Sequence, residues 1–348
     1  MSSKVGFDLF SGSGGLSIGA QNAGISTAIA VEKDKSAAET FKFNHNDAIV
    51  LTQDIQSIDL SSFNIKPFII FGGPPCQGFS LSNSKTRNEE NTNNLLYTEF
   101  IRIVQEFLPE WFLFENVEGI LSFNKGQTVL TIKESFEKLG YNVTYDVLCA
   151  SDYGVPQHRN RFFMVGNKSG IKFEFPQKYD TQITVKQAIS DLPELINGQH
   201  APELPYKSGA PSTYAAKMRK SLTKALQNYV SSNSELVLQR YKHIKPGQNW
   251  KAIPLNLMSN YTETKNCHSG IYKRLNPDQP SVVISNYRKN MLIHPEQDRG
   301  LSVREAARLQ SFPDDFIFKG NITSIQQQIG NAVPPLLAEA IFQKILSY

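Results

Sequence analysis

The chain has 348 residues, 40% of them hydrophobic and 20% charged, which excludes a disordered protein and leaves room for two domains with a full core. No apolar run reaches the length of a membrane span, and the N-terminus lacks the apolar core of a signal peptide. The net charge of +4 conceals an asymmetry: residues 201–295 hold fourteen Lys and Arg against four Asp and Glu, a surplus of ten on an otherwise acidic chain, and such a segment suits a polyanionic partner. Three cysteines, Cys76, Cys149 and Cys267, form neither a CxxC pair nor a metal spacing, so the expected setting is reducing and intracellular. The six histidines show no HxxxH pattern, and no metal is expected.

Residues 4–10 (KVGFDLF) read as a first strand, followed by the glycine turn Ser11-Gly12-Ser13-Gly14-Gly15 and an amphipathic helix that stops near Gly24. Strand, glycine turn and helix together open a nucleotide-binding α/β fold, in which backbone N–H groups face the ligand. The strict dinucleotide spacing is not met, because Ser17 stands where the third glycine belongs. A second strand over 28–31 ends at Glu32, placed to accept both hydroxyls of a ribose. A third short strand ends at Asp54-Ile55, a pair suited to an adenine edge.

The apolar run 67–71 reads as a buried strand that leads into Gly72-Gly73-Pro74-Pro75-Cys76-Gln77-Gly78-Phe79-Ser80. Prolines stiffen this loop and glycines permit close approach to a ligand, so Cys76 is a candidate nucleophile at the mouth of a strand. The polar, glycine-free stretch 81–94 reads as a lid beside it. Leu96, Phe100, Ile103 and Phe107 recur at helical spacing, and residues 111–114 form a strand ending in Glu115. A carboxylate at the carboxyl end of a strand lies where α/β active sites lie, and burial there would raise its pKa. Two strands over 142–149 and 161–166 flank Gln157-His158-Arg159-Asn160-Arg161, whose arginines alternate and would point the same way along a strand to grip a phosphate or base edge.

Residues 170–300 lose the strand–helix alternation and read as a separate small domain, with Lys217, Arg219, Lys220 and Lys224 on one helix. Ser302-Val303-Arg304-Glu305 is a capping box that opens a helix through Gln310. The stretch 328–335 (QIGNAVPP) opens the last helix, with Leu337, Ile341 and Ile345 on its buried face.

The ordered set DLFSGSGG (8–15), VEKD (31–34), GGPPCQGFS (72–80), FENV (114–117), QHRNR (157–161), VREAARLQSFP (303–313) and QIGNAVPP (328–335) resembles the cytosine-5 DNA methyltransferases of bacterial, restriction-modification type. The resemblance implies a Rossmann-like methyltransferase domain with a mostly parallel sheet over 1–178 plus 325–348, and a smaller target-recognition domain over 179–324. It implies S-adenosylmethionine as methyl donor and a flipped cytosine as acceptor. Phe10, Gly12, Gly14, Leu16, Glu32, Asp54, Ile55, Pro74, Leu96 and Asn331 would line the cofactor site, and Cys76, Glu115, Arg159 and Arg161 would surround the base.

The expected partner is double-stranded DNA, acted on by a monomer in the bacterial cytoplasm, with a cognate restriction endonuclease using the same site without a stable complex. A tRNA cytosine-5 methyltransferase of the same family is the alternative. An oxidoreductase is disfavoured by the incomplete glycine pattern, and a catalytically dead DNA-binding module by the presence of both Cys76 and Glu115. Within the basic segment, Lys217 and Lys220 are expected on phosphates, and one or more of Arg240, Arg274 and Arg288 on base edges.

Overall fold

The computed structural model describes residues 4–75, 96–259, 270–285 and 287–348. Cys76, Cys267 and the expected lid over 81–94 lie outside the described residues. The chain divides into two compact units, one of residues 1–150, 160–178 and 335–348, the other of residues 151–159 and 179–334. Residues 151–159 and 325–334, both expected in the first domain, group with the second unit.

The first unit is a seven-stranded sheet with helices. In chain order its elements are β1 (Val5–Leu9), α1 (Gly15–Ala23), β2 (Ser26–Val31), α2 (Lys35–Asn44), β3 (Ile49–Leu51), β4 (Ile69–Gly72), α3 (Leu96–Phe107), β5 (Trp111–Val117), α4 (Gln127–Lys138), β6 (Asn142–Cys149) and β7 (Asn160–Asn167). The strand order is β3-β2-β1-β4-β5-β7-β6; the pairs from β3 to β5 are parallel, and β7 runs antiparallel between β5 and β6. This is the expected mostly parallel α/β sheet. β4 and the first six residues of β5 are buried throughout, which explains why both read as continuous apolar runs rather than alternating ones.

The core joins sheet and helices through aromatic side chains. Phe112 of β5 stacks on Phe136 of α4 at 3.9 Å between ring centroids, and Phe100 of α3 meets Phe114 edge-on at 5.4 Å. Each such ring, fully buried, contributes about 1.5–3 kcal/mol. Local signals set the helix ends. Gly24 closes α1 at φ 104°, a conformation that costs glycine little, and Asp34 caps α2 by accepting from Ala37 N at 2.8 Å.

The second unit holds α5 (Val185–Ile189), β8 (His200–Pro205), α6 (Thr213–Arg219), β9 (Lys224–Tyr229), α7 (Glu235–Lys242), α8 (Val303–Leu309) and α9 (Ile322–Asn331), with β8 and β9 paired antiparallel. The capping box forms as expected, since Ser302 and Glu305 satisfy each other's backbone N–H at the start of α8. The basic helix is shorter than expected. α6 carries Lys217 and Arg219, but Lys220 has a left-handed φ of 52° and Lys224 opens β9.

The chain then returns to the first unit as α10 (Pro335–Leu346). The stretch 328–335 was expected to open this helix. Instead Asn321 caps an earlier helix, α9, which ends at Asn331, and Pro335 begins the next one, where its missing N–H costs no hydrogen bond. Leu337, Ile341 and Ile345 of α10 are buried as expected. The helix lies so close to α1 that a Cβ on Gly19 would come within 2.6 Å of Glu339 N. Among the described residues no helix is long and apolar enough to cross a membrane.

Candidate active site

The expected site residues of the first unit gather at one edge of the sheet. The turn from Phe10 to Gly14 follows β1, Glu32 follows β2, Gly73-Pro74-Pro75 follows β4, and Glu115 lies near the end of β5. β7 runs the other way, so its beginning lies at this same edge: Val117 pairs with Arg161 in the ladder. Parallel strands thus bring together residues far apart in the chain, at the carboxyl ends where such sheets bind ligands.

The glycine turn is strained and well tethered. Phe10 adopts φ 61°, Gly12 φ 54° and Gly14 φ 98°. Ser11 N donates to Val31 O at 3.0 Å, and Gly12 N donates to Glu32 Oε2 at 2.8 Å. Glu32 Oε1 accepts from Asp34 N at 2.6 Å. Burial pushes the Glu32 carboxyl above its ordinary pKa, and these backbone N–H groups oppose the shift. The Ser11 and Ser13 hydroxyls are buried without a hydrogen-bond partner among the described residues. Leu16 is buried in α1, and Leu96 is half-buried at the start of α3.

Asp54 does not end a strand: β3 stops at Leu51, and Asp54 caps a short 3-10 turn that begins at Ile55. Its carboxylate accepts from Lys33 Nζ at 2.6 Å, and this bond holds its pKa below the ordinary carboxylate range. Ile55 is buried beside it.

The loop leading to Cys76 is fixed by two glycines. A Cβ at Gly72 would come within 2.8 Å of the Leu9 carbonyl carbon, so β4 rests directly on the end of β1. A Cβ at Gly73 would overlap Glu115 Oε2 and lie 3.5 Å from Glu115 Cδ. Pro74 is buried, and its carbonyl accepts from Asn116 Nδ2 at 3.2 Å. Glu115 is 8% exposed, and its Oε1 lies 3.0 Å from Arg161 Nε. Burial of Glu115 was the expectation; the guanidinium beside it is an addition that spacing did not reveal. A buried carboxylate against Gly73, with a guanidinium beside it, offers hydrogen bonds to the polar edge of a planar ring.

Arg159 precedes β7. It belongs to the second unit and is 1% exposed; its Nη1 donates to Ile284 O at 3.1 Å and its Nη2 to Gly330 O at 2.7 Å. The expected alternation fails because β7 begins only at Asn160, so the two arginines are not on one strand. Asn331 also lies in the second unit, exposed at the end of α9, with its Oδ1 accepting from Gln327 Nε2 at 2.6 Å.

Two residues of this region were not singled out from the sequence. Asp8 of β1 is fully buried; burial, with a smaller contribution from Glu32, raises its pKa to about 8 against the Ser17 hydroxyl bond at 2.6 Å. An acid inside the apolar run KVGFDLF was the available signal. His45 closes α2 and lies against the glycine turn, where a Cβ on Gly14 would come within 2.7 Å of its Nε2. A lone histidine in a polar loop gave no sign of this.

The basic segment is corrected in detail. Arg240 is 2% exposed and donates to Leu257 O and the Tyr272 hydroxyl, both at 2.8 Å. Arg274 donates to the carbonyls of Tyr241, Ile244, His294 and Gln297 and pairs with Asp298. Both arginines hold the second unit together and present no free fork to a base. Arg288 is exposed. Part of the surplus of ten is neutralised by acids outside residues 201–295: Asp191 pairs with Arg219, Glu194 with Lys207, and Asp315 with Lys220.

Comparison with known proteins agrees with this geometry. A family model described as C-5 cytosine-specific DNA methylase matches residues 5–347. The Type II methyltransferase M1.HphI of Haemophilus parahaemolyticus is 36% identical over 348 residues, covering 97% of this chain and 86% of the relative. The Type II methyltransferase M.DdeI of Desulfomicrobium norvegicum is 36% identical over 367 residues, covering 98% and 88%. A solved Escherichia coli structure, described as a DNA modification methyltransferase encoded within a prophage, superposes with a TM-score of 0.81 at 28% identity, covering 99% of each chain. With the match running from the first strand to the last helix, and the carboxylate, guanidinium and glycine turn converging on one sheet edge, the chain belongs to the C-5 cytosine-specific DNA methylase family and is a DNA (cytosine-5)-methyltransferase.

Proposed function

We propose that the chain methylates C5 of a cytosine extruded from double-stranded DNA at a defined sequence, with Cys76 as nucleophile and S-adenosylmethionine as donor. The observation that carries this reading is the Glu115–Arg161 pair at 3.0 Å, whose carboxylate packs against Gly73 in the stretch that leads into Cys76. The residues of the first unit fit the donor. The turn from Phe10 to Gly14 is held open by positive φ angles, the buried Ser11 and Ser13 hydroxyls lack partners among the described residues, and the Glu32 and Asp54 carboxylates suit ribose hydroxyls and an adenine edge. Leu16, Ile55, Pro74 and Leu96 would form its apolar walls. When bound, S-adenosylmethionine supplies an electrophilic methyl group.

Cytosine C5 is a poor nucleophile until electron density is pushed into the ring. The Cys76 thiolate does this by adding to C6, which forms a C–S bond and makes C5 enamine-like. Glu115, bonded at the N3 and N4 edge, stabilises the charge that builds there, and Arg161 holds that carboxylate in place and reaches the base itself. Once C5 is methylated, its proton leaves to a base, and the C–S bond breaks to return the thiolate. The second unit, with Arg288, Lys242, Lys245 and Lys251 exposed, would face the phosphates and base edges. The chain would act as a monomer, with a cognate restriction endonuclease using the same sequence without a stable complex.

The test offers labelled donor with duplex DNA or tRNA, then with a duplex carrying 5-fluorocytosine, whose C5 substituent cannot leave as a proton. Label is expected in DNA, and an adduct at Cys76 that Cys76→Ala abolishes. Label in tRNA alone, or an active enzyme that forms no adduct at Cys76, would overturn the reading.

A further inference from the structure

The stretch before β7 alternates sharply between inside and outside. Gln157 and Arg159 are buried at 0% and 1% exposure, while His158 and Asn160 between and after them are exposed. Two buried side chains with this much hydrogen-bonding capacity need partners, or they destabilise the fold. Most of their bonds go to the backbone, and they converge on one segment. Ile284 N donates to Gln157 Oε1 at 2.9 Å, and Ile284 O accepts from Arg159 Nη1 at 3.1 Å. Three residues earlier, Ser281 N donates to Pro156 O at 2.9 Å, and Ser281 O accepts from His158 N at 2.8 Å. Both polar backbone groups of Ser281 and of Ile284 are therefore held by residues 156–159.

The same two side chains fasten the elements behind the segment. Gln157 Nε2 donates to Gln310 Oε1 at 2.8 Å, and Gln310 Nε2 donates to Ile329 O at 2.6 Å. Arg159 Nη2 reaches Gly330 O at 2.7 Å. Gly330 comes so near the segment that a Cβ there would lie 2.7 Å from the Ser285 carbonyl carbon. Next to this brace Val283 is 43% exposed, and Arg288 and Lys289, after the buried Tyr287, are exposed.

We propose that Gln157 and Arg159 are positioning residues for target choice: they hold the 281–284 backbone so that the exposed side chains of Val283, Arg288 and Lys289 meet the DNA in one register. The inference rests on the proposed DNA-methylating function. Base reading needs side chains placed to within a fraction of a bond length, whereas phosphate contacts tolerate more. Loosening the brace therefore lowers discrimination between sites more than it lowers affinity for DNA or donor.

The test begins by sequencing plasmid DNA methylated by the parent enzyme, to define its site. Methylation rates are then measured on the cognate duplex and on every single-base variant, for the parent, Arg159→Lys and Gln157→Leu. Arg159→Lys keeps the charge and the stem but spans only one of the two carbonyls, so it is the gentler change. Binding of S-adenosylhomocysteine and the thermal midpoint are recorded for each protein. The expected result is a fall of about tenfold in the cognate-to-variant rate ratio at one or more base pairs, with unchanged S-adenosylhomocysteine affinity. A uniform loss of rate across all duplexes, or an unchanged preference profile in Arg159→Lys, overturns the inference alone. A parent enzyme that methylates DNA with no preferred site overturns the proposed function as well.

Discussion

Gly73→Ala separates placement of the Glu115 carboxylate from its presence. The new Cβ would overlap Glu115 Oε2, and an ordinary contact requires that oxygen to retreat by about 1 Å. Only the end of a flexible side chain must move, since the next nearest atom, Glu115 Cδ, is 3.5 Å away. Stability should change little, but the retreat disturbs the bond to Arg161 Nε and shifts the group that must meet the cytosine edge. A 1 Å misplacement at a reacting centre costs about 10²-fold in rate, or about 2.7 kcal/mol of barrier. The assay is single-turnover methylation of duplex DNA with labelled donor, alongside a urea melt and S-adenosylhomocysteine binding. A single-turnover rate within threefold of the parent would refute the claim that the backbone at Gly73 sets the Glu115 position.

The remaining predictions concern the second unit. Arg274→Ala strands four carbonyls and the Asp298 carboxylate, and should lower stability in a urea melt by about 3 kcal/mol or more without changing which base pairs the surviving enzyme prefers. Arg288→Ala, at an exposed position, should leave the melt within about 0.5 kcal/mol of the parent, and should cost about 1–3 kcal/mol of discrimination at one base pair in a variant-site library. Burial pushes the His294 imidazole down to about 4 from 6.5, with Glu305 opposing and Arg299, Arg274 and Lys207 assisting. The unfolded chain takes up this proton near 6.5 and the folded one only near 4, so the associated stability is complete above 6.5 and is lost as the pH falls toward 4. His294→Asn should therefore gain on the parent between pH 7 and pH 4.5 in paired urea melts; a constant difference would show that His294 does not titrate in this window.

Periodicity and punctuation made most of the first unit legible. The strand over 142–149 has the expected bounds, and Gly24, the Ser302–Glu305 box and the Leu337, Ile341, Ile345 stripe do what their spacing implies. These features act within a few residues, which is the range at which sequence patterns carry physical force. The expectations that failed depended on partners distant in the chain. Arg159 and Arg161 do not share a strand because β7 begins only at Asn160, which no spacing records. Arg240 and Arg274 looked like surface charge because guanidinium groups usually are; here backbone carbonyls from loops solvate them. The charge window cut ion pairs whose acids lie just outside it, so a surplus counted along the chain overstated the field in space.

The packing of α10 on α1 has a consequence for synthesis. The face of α1 around Gly19 is covered by a helix that emerges from the ribosome only after all of the second unit has been translated. Until then the helix that begins at the glycine turn lacks its neighbour, and the first unit stays open on that flank. A nascent chain therefore cannot complete the packing of the first unit before the whole of the second has been made.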